Sequence, residues 1–174
     1  MQKCTLAMGC FWGPEENFKN KPGILHTEVG YAGGNSSQTT YEEVCTGNTG
    51  HAEVVKLTFD ENIITFKKIL DLFFKMHDPT QKDMQYPDVG TQYRSEIFYE
   101  TEQQKKEATE VLNQFNKLLG GKIETNISKI KNYCKAEEYH QKYIEKKLFQ
   151  IIGYHIMPKP TFSPNNRHKS ATNI

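Results

Sequence analysis

In "HAEVVKLTFD" (51–60), Val55, Leu57 and Phe59 alternate with Lys56 and Thr58, a period of two that predicts a strand with one buried and one wet face. The run from Lys3 to Gly9, "KCTLAMG", reads as a buried strand, and "ILHTEVGYAGG" (24–34) as another that runs into the Gly-rich loop "GGNSSQTT". Helical spacing appears in Thr65 to His77, where Phe66, Ile69, Leu70 and Phe73 face one way. A second apolar stripe, Ala108, Val111, Leu112, Phe115, Leu118 and Leu119, follows a capping-box signature at Thr101 and Gln104 and stops at Gly120-Gly121. Shorter signals predict a helix from Phe11 to Asn20, stopped by Pro22-Gly23, strands at Tyr93 to Tyr99 and Ile127 to Lys131, and a helix from Glu137 to Lys147. A loop, "DPTQKDMQYPDVGTQ", fills 78–92.

Strands and helices alternate without a strict βαβ rhythm, which favours an α+β two-layer sandwich with a mixed central sheet over a doubly wound parallel one. No repeat or internal linker interrupts the pattern, so residues 1–157 read as one domain and the Pro-, Asn-, Ser- and Lys-rich 158–174 as an extended tail. At 174 residues the chain can bury a sizeable core. A formal net charge of +1 gives no electrostatic reason to expect nucleic acid or an anionic membrane as partner. Apolar runs fall short of the ~20 residues of a membrane span, and the first residues lack a signal-peptide pattern, so a cytoplasmic, reducing setting is expected.

That setting changes how Cys4, Cys10, Cys45 and Cys134 are read: free or catalytic thiols rather than bridges. No two lie at zinc-ligand spacing, and no metal is expected. In "GCFWGPEE" (9–16), Gly9 ends a strand and Pro14 is tolerable only in the first turn of a helix. Cys10 would then sit at a helix N-terminus, where free N–H groups and the positive dipole end lower a thiol pKa. The plain alternative is a small buried cysteine at a strand end. Phe11 and Trp12, which helix propensity does not explain, would suit the walls of an apolar pocket. Glu53 shares the parity of Val55, Leu57 and Phe59; buried, its carboxyl would gain a raised pKa and become a candidate general acid, and frayed, it would turn into solvent. Tyr41, Asp88 and Tyr93 lie in loops or at strand edges, where function and plain packing are both open. His51 allows a Cys–His hydrolase or transferase reading with Cys10.

Six spaced segments, "GCFWGPEE", "GYAGG", "YEEVCTGNTGHAEVV", "HDPTQ", "DVGTQYRS" and "AEEYHQKY", resemble in colinear order the A-type peptide-methionine sulfoxide reductase family, which repairs oxidised methionine. The resemblance implies a two-layer α+β sandwich with a ferredoxin-like core. It implies reduction of the S epimer of methionine sulfoxide, free or in proteins. Cys10 would be the nucleophile that ends as sulfenic acid, and Phe11 and Trp12 the cage for the substrate methyl. Glu53 would protonate the sulfoxide oxygen, Tyr41 and Tyr93 would donate hydrogen bonds to it, and Asp88 would act through water. No bound cofactor is implied, only an external thiol: thioredoxin, glutaredoxin or glutathione, or dithiothreitol in vitro. Partners would be oxidised methionine and that reductant, and the protein would act as a monomer.

The chain departs from the family where recycling cysteines often stand, since no cysteine follows Cys134. Cys134 replaces a usual aromatic, Cys45 reads as packing, and Cys4 lies about 20 Å along the strand from Cys10 at 3.3 Å per residue. Cys134 is the possible resolving thiol, against direct reset by an external one. Besides the hydrolase or transferase, a non-catalytic binder of oxidised methionine is a further reading, though a binder has no need of a nucleophile.

Overall fold

The computed structural model describes residues 1–156; the tail expected at 158–174 lies outside the described residues. Its frame is β1 (Gln2–Met8), β2 (Ile24–Ala32), β3 (Ala52–Phe59) and β6 (Ser95–Tyr99), with β7 (Asn126–Lys129) and β8 (Cys134–Lys135) at the edges. The six form one sheet in the order β7-β6-β1-β3-β2-β8, antiparallel throughout except for the parallel β6–β7 pair. A mixed α+β architecture was expected, and the sheet is mostly antiparallel.

Cys4, Leu6 and Met8 of β1 share a face with Val55, Leu57 and Phe59 of β3. Onto it pack α1 (Trp12–Lys19) through Phe18, α3 (Phe66–Met76) through Ile69, Leu70, Phe73 and Phe74, and α4 (Glu102–Leu118) through Ala108 and Val111. Each buried Leu, Ile or Phe contributes about 1.5–3 kcal/mol, so this face carries most of the hydrophobic stabilisation. The opposite face is thinner: Ala7, Ala32, Ala52, Val54 and Phe98, against Ile130 and Tyr133. Near its start β3 is therefore buried on both sides, which is why alternation begins only at Val55.

Thr65 caps α3 by accepting from the Lys68 N–H, and Thr101 caps α4 by accepting from the Gln104 N–H. The box expected at Thr101 is not closed: the Gln104 amide accepts from the Glu100 N–H and donates to the Lys3 carbonyl. The stripe of α4 ends sooner than expected, with Leu118 and Leu119 exposed. Gly120 and Gly121 terminate it at positive φ, the Gly121 N–H returning to the Asn116 carbonyl at 2.7 Å.

Other boundaries differ. Tyr41 stands not in a loop or at a strand edge but at the start of a short helix, α2 (Tyr41–Cys45), with a reciprocal Thr40–Glu43 capping box. The loop at 78–92 contains the paired β4 (Met84–Gln85) and β5 (Asp88–Val89), and a 3-10 turn over Thr91–Tyr93 holds Tyr93 outside β6. The helix expected from Glu137 begins six residues later, as α5 (Tyr143–Ile156). Glu137 and Gln141 are engaged with other segments, and Lys142 has φ +50, outside the helical basin.

Candidate active site

β1 delivers its last residue to the core and turns at Gly9, whose φ of +91 suits only glycine; a Cβ there would lie 2.8 Å from the Gln85 Cβ. Cys10 follows, half-buried, and Phe11 is the N-cap of α1 without a side-chain cap. Pro14 falls in the first turn, as expected. The open end of the helix is satisfied from outside: the Phe11 N–H donates to Glu53 Oε2 at 3.0 Å.

Glu53 does not turn into solvent. It is 2% exposed and stands opposite Tyr31 in the β2–β3 register. Burial pushes its carboxyl up to about 7, with the Phe11 N–H opposing and the Asp88 charge adding. The carboxyl thus titrates close to neutral pH, next to the half-buried thiol at the helix start.

Cys10 corrects the expectation of a lowered pKa. Burial pushes the thiol up to about 12; the Trp12 N–H opposes, and the charges of Glu53 and Asp88 add. The helix N-terminus is present, but desolvation beside two carboxyls outweighs one N–H. The Cys10 thiol therefore rests protonated, beside a carboxyl that titrates close to neutral pH.

Asp88 on β5 and Tyr93 on the 3-10 turn reach the same place from the hairpin side. Burial pushes the Tyr93 phenol up to about 12, reinforced by Glu53, Cys45, Asp88 and Cys10. The Tyr41 phenol is raised first by its contact with Cys45, then by burial, Tyr93 and Glu53. Electrostatic contacts through Glu53 and Tyr93 thus link Cys10, Tyr41 and Asp88 into one group. Both phenols keep their protons and can donate hydrogen bonds.

Phe11 and Trp12 form an apolar cluster with Val29, Tyr31, Val44, Ala136 and Tyr41. The half-buried Trp12 stacks on Tyr143 at 3.9 Å, nearly parallel, and donates Nε1–H to His140 Nδ1 at 3.1 Å. His140, Tyr143 and Glu137 had no role in the sequence reading, although they stand inside "AEEYHQKY". A half-buried indole N–H calls for a partner, but nothing in sequence pairs positions 128 residues apart.

The remaining residues fall elsewhere. His51 does not face Cys10: it is buried with Nε2 toward the carbonyls of Ser36 and Asn132, so its ring ties loop backbone together. Cys45 is not packing but exposed, at the end of α2 one turn from Tyr41. Cys134, expected just before a helix, lies on β8 paired with Tyr31, half-buried, its Sγ toward the Thr39 carbonyl at 3.6 Å. Cys4 is fully buried in the core. Among the described residues no group of three or more His, Cys, Asp or Glu could hold a metal ion, and no helix is long and apolar enough to cross a membrane.

The family model described as peptide methionine sulfoxide reductase matches residues 2–171. The peptide methionine sulfoxide reductase MsrA of Pelagibacter ubique is 56% identical over 147 residues, 84% of this chain and 100% of that protein. Among solved structures, methionine sulfoxide reductase A of Corynebacterium diphtheriae superposes with a TM-score of 0.81 at 33% identity, covering 95% of this chain and 81% of that one. Mxr1 of Saccharomyces cerevisiae, in complex with Trx2, superposes with a TM-score of 0.58 at 27% identity, covering 82% and 84%.

Proposed function

From the premise that this chain belongs to the peptide methionine sulfoxide reductase family, and so reduces methionine sulfoxide, we propose how its residues divide the work. Cys10 is the nucleophile, Glu53 the acid, Tyr41 and Tyr93 donors to the sulfoxide oxygen, and Asp88 a carboxylate acting through water. Phe11 and Trp12 hold the substrate methyl. A single observation carries the reading: Glu53 is buried with its Oε2 accepting from the N–H one residue beyond Cys10, where burial raises its carboxyl enough for a protonated form to be available near neutral pH.

A sulfoxide sulfur is weakly electrophilic until its oxygen is protonated or hydrogen-bonded. Glu53 and the two phenols supply that. As the sulfoxide oxygen takes proton density from Glu53, the Cys10 thiol gives up its own proton and attacks sulfur. The S–O bond and the new Sγ–S bond then both break as the hydroxyl oxygen passes to Sγ, so the thioether leaves reduced by two electrons and Cys10 ends as sulfenic acid carrying the oxygen. Glu53 is reprotonated by the proton the thiol released, so atoms and charge balance. One external thiol then condenses with the sulfenic acid to release water, and a second frees Cys10. A redoxin or glutathione fits this step, and the complex of Mxr1 with Trx2 supports the redoxin class. The strand order β6-β1-β3-β2, with α1 and α3 on the connections, supports a ferredoxin-like two-layer core.

The test mixes the full chain with racemic methionine sulfoxide and dithiothreitol and resolves the epimers. Only the S form is expected to disappear; equal loss of both would overturn a site with one fixed methyl wall and one fixed acid.

A further inference from the structure

The segment 136–143, "AEEYHQKY", contributes no group to the chemistry above, yet it is anchored with unusual thoroughness. Gln141 accepts from the Val29 N–H and donates to the carbonyls of Val29 and Ala136. The Lys142 N–H donates to Glu15, a buried carboxylate that also accepts from Thr27. What this scaffold presents to the site is His140, 1% exposed, with Phe11, Trp12 and Tyr41 rings around it at 5.1, 5.7 and 4.7 Å.

His140 Nδ1 accepts from the Trp12 indole, so the ring proton belongs on Nε2. Nε2 is buried without a hydrogen-bond partner and faces Glu137 Oε2 at 3.9 Å. That carboxylate is itself fixed, accepting from the Tyr31 hydroxyl at 2.8 Å and the Tyr41 N–H at 2.9 Å. The facing charge favours the Nε2–H tautomer, the one that leaves Nδ1 free to accept. Burial lowers the His140 pKa and keeps the ring neutral; an imidazolium would turn an N–H against the indole N–H.

We propose that His140 is a positioning residue: with Tyr143 stacked behind the indole and Glu137 orienting the imidazole, it holds Trp12 in the one plane in which the indole walls the substrate methyl. This rests on the reading of Trp12 as pocket wall. Because Glu137 also binds the Tyr41 backbone, one carboxylate fixes both the methyl wall and the helix that carries a phenol donor. His140 touches no reacting atom, so its effect falls on substrate binding and not on the chemical step.

Trp12 is the only tryptophan, so its fluorescence reports the indole directly. In His140→Leu the emission is expected to shift and acrylamide quenching to rise in the folded protein. KM for methionine sulfoxide should rise about fivefold, the scale of one lost neutral hydrogen bond, with kcat changed less than about twofold. His140→Asn, whose Oδ1 can stand where Nδ1 stood, should return emission and KM most of the way. A purely structural role would lower stability and leave the native emission and the KM–kcat split unmoved. Unchanged emission and KM in His140→Leu, with Trp12→Phe still raising KM, overturns the positioning role alone. Unchanged KM in Trp12→Phe overturns the wall itself, and this inference with it.

Discussion

A carboxyl at 2% exposure between the start of α1 and Tyr31 destabilises the fold wherever it is charged. The folded pKa of Glu53, about 7, lies above its ordinary 4.5, so the folded state holds this proton more tightly than the unfolded one. Its contribution to stability is fully present below pH 4.5 and is lost as pH rises through 7, by about 3 kcal/mol at most. Glu53→Gln should therefore be more stable than the parent at pH 8 and gain little at pH 4.5, measured by urea midpoints at both. Activity should move the other way. Glu53→Ala is expected to lose about 10²-fold or more in kcat/KM, while the amide of Glu53→Gln, still a hydrogen-bond donor, keeps part of it. Wild-type turnover in Glu53→Ala would remove the acid from the mechanism. Cys10 is raised by the same cause: the burial that lifts Glu53 to about 7 lifts the thiol to about 12, so the proposed attack needs the bound sulfoxide to draw that proton away.

Elements with strong periodicity were legible in sequence. β3 announced itself through Val55, Leu57 and Phe59, α3 through Phe66, Ile69, Leu70 and Phe73, and Glu53 through its parity with them. Short elements held by partners far along the chain were not. α2 is five residues and depends on its Thr40–Glu43 box, β4 and β5 are two residues each, and the late start of α5 follows from Glu137 and Gln141 binding β2. For the same reason the Trp12–His140 pair, with no local pattern, went unread. Element ends also carry titratable contacts. His77 caps the end of α3, and its ring meets the Phe73 carbonyl at 2.8 Å and Ser95 Oγ at 2.7 Å, joining the helix to the start of β6. Burial lowers its pKa from 6.5 to about 4, with the Phe73 carbonyl opposing. A depressed histidine gives stability that is present above pH 6.5 and lost as pH falls toward 4, because only the unfolded chain binds that proton in between. His77→Asn should flatten the fall of Tm between pH 6.5 and 4; an unchanged slope would show the ring to be solvated.

At the scale of the molecule, the antiparallel order brings the end of β1, the start of β3 and the end of β2 side by side at one end of the central strands, which is how Cys10, Glu53 and Tyr31 come together. The same topology decides which thiol can reach Cys10. An internal disulfide needs Cα atoms within about 7 Å and Cβ vectors that converge. Cys4 is fully buried in β1, where antiparallel pairing with Leu57 of β3 fixes it. Cys134 packs against the cluster that holds Phe11 and Trp12, but β8 pairing with Tyr31 holds its backbone and its sulfur faces the Thr39 carbonyl. Cys45 is exposed at the end of α2, open to solvent and to an incoming thiol as much as to Cys10. Reset by an external thiol is the route that leaves every one of these contacts intact. One turnover with excess sulfoxide and no reductant, followed by thiol counting, dimedone labelling and peptide mapping, is expected to show one thiol lost per chain and the adduct on Cys10. Two thiols lost, with a Cys10–Cys134 bridge that disappears in Cys134→Ser, would make Cys134 the resolving thiol; a bridge to Cys45 would assign that role to Cys45 instead. Either outcome would replace the external route with an internal one.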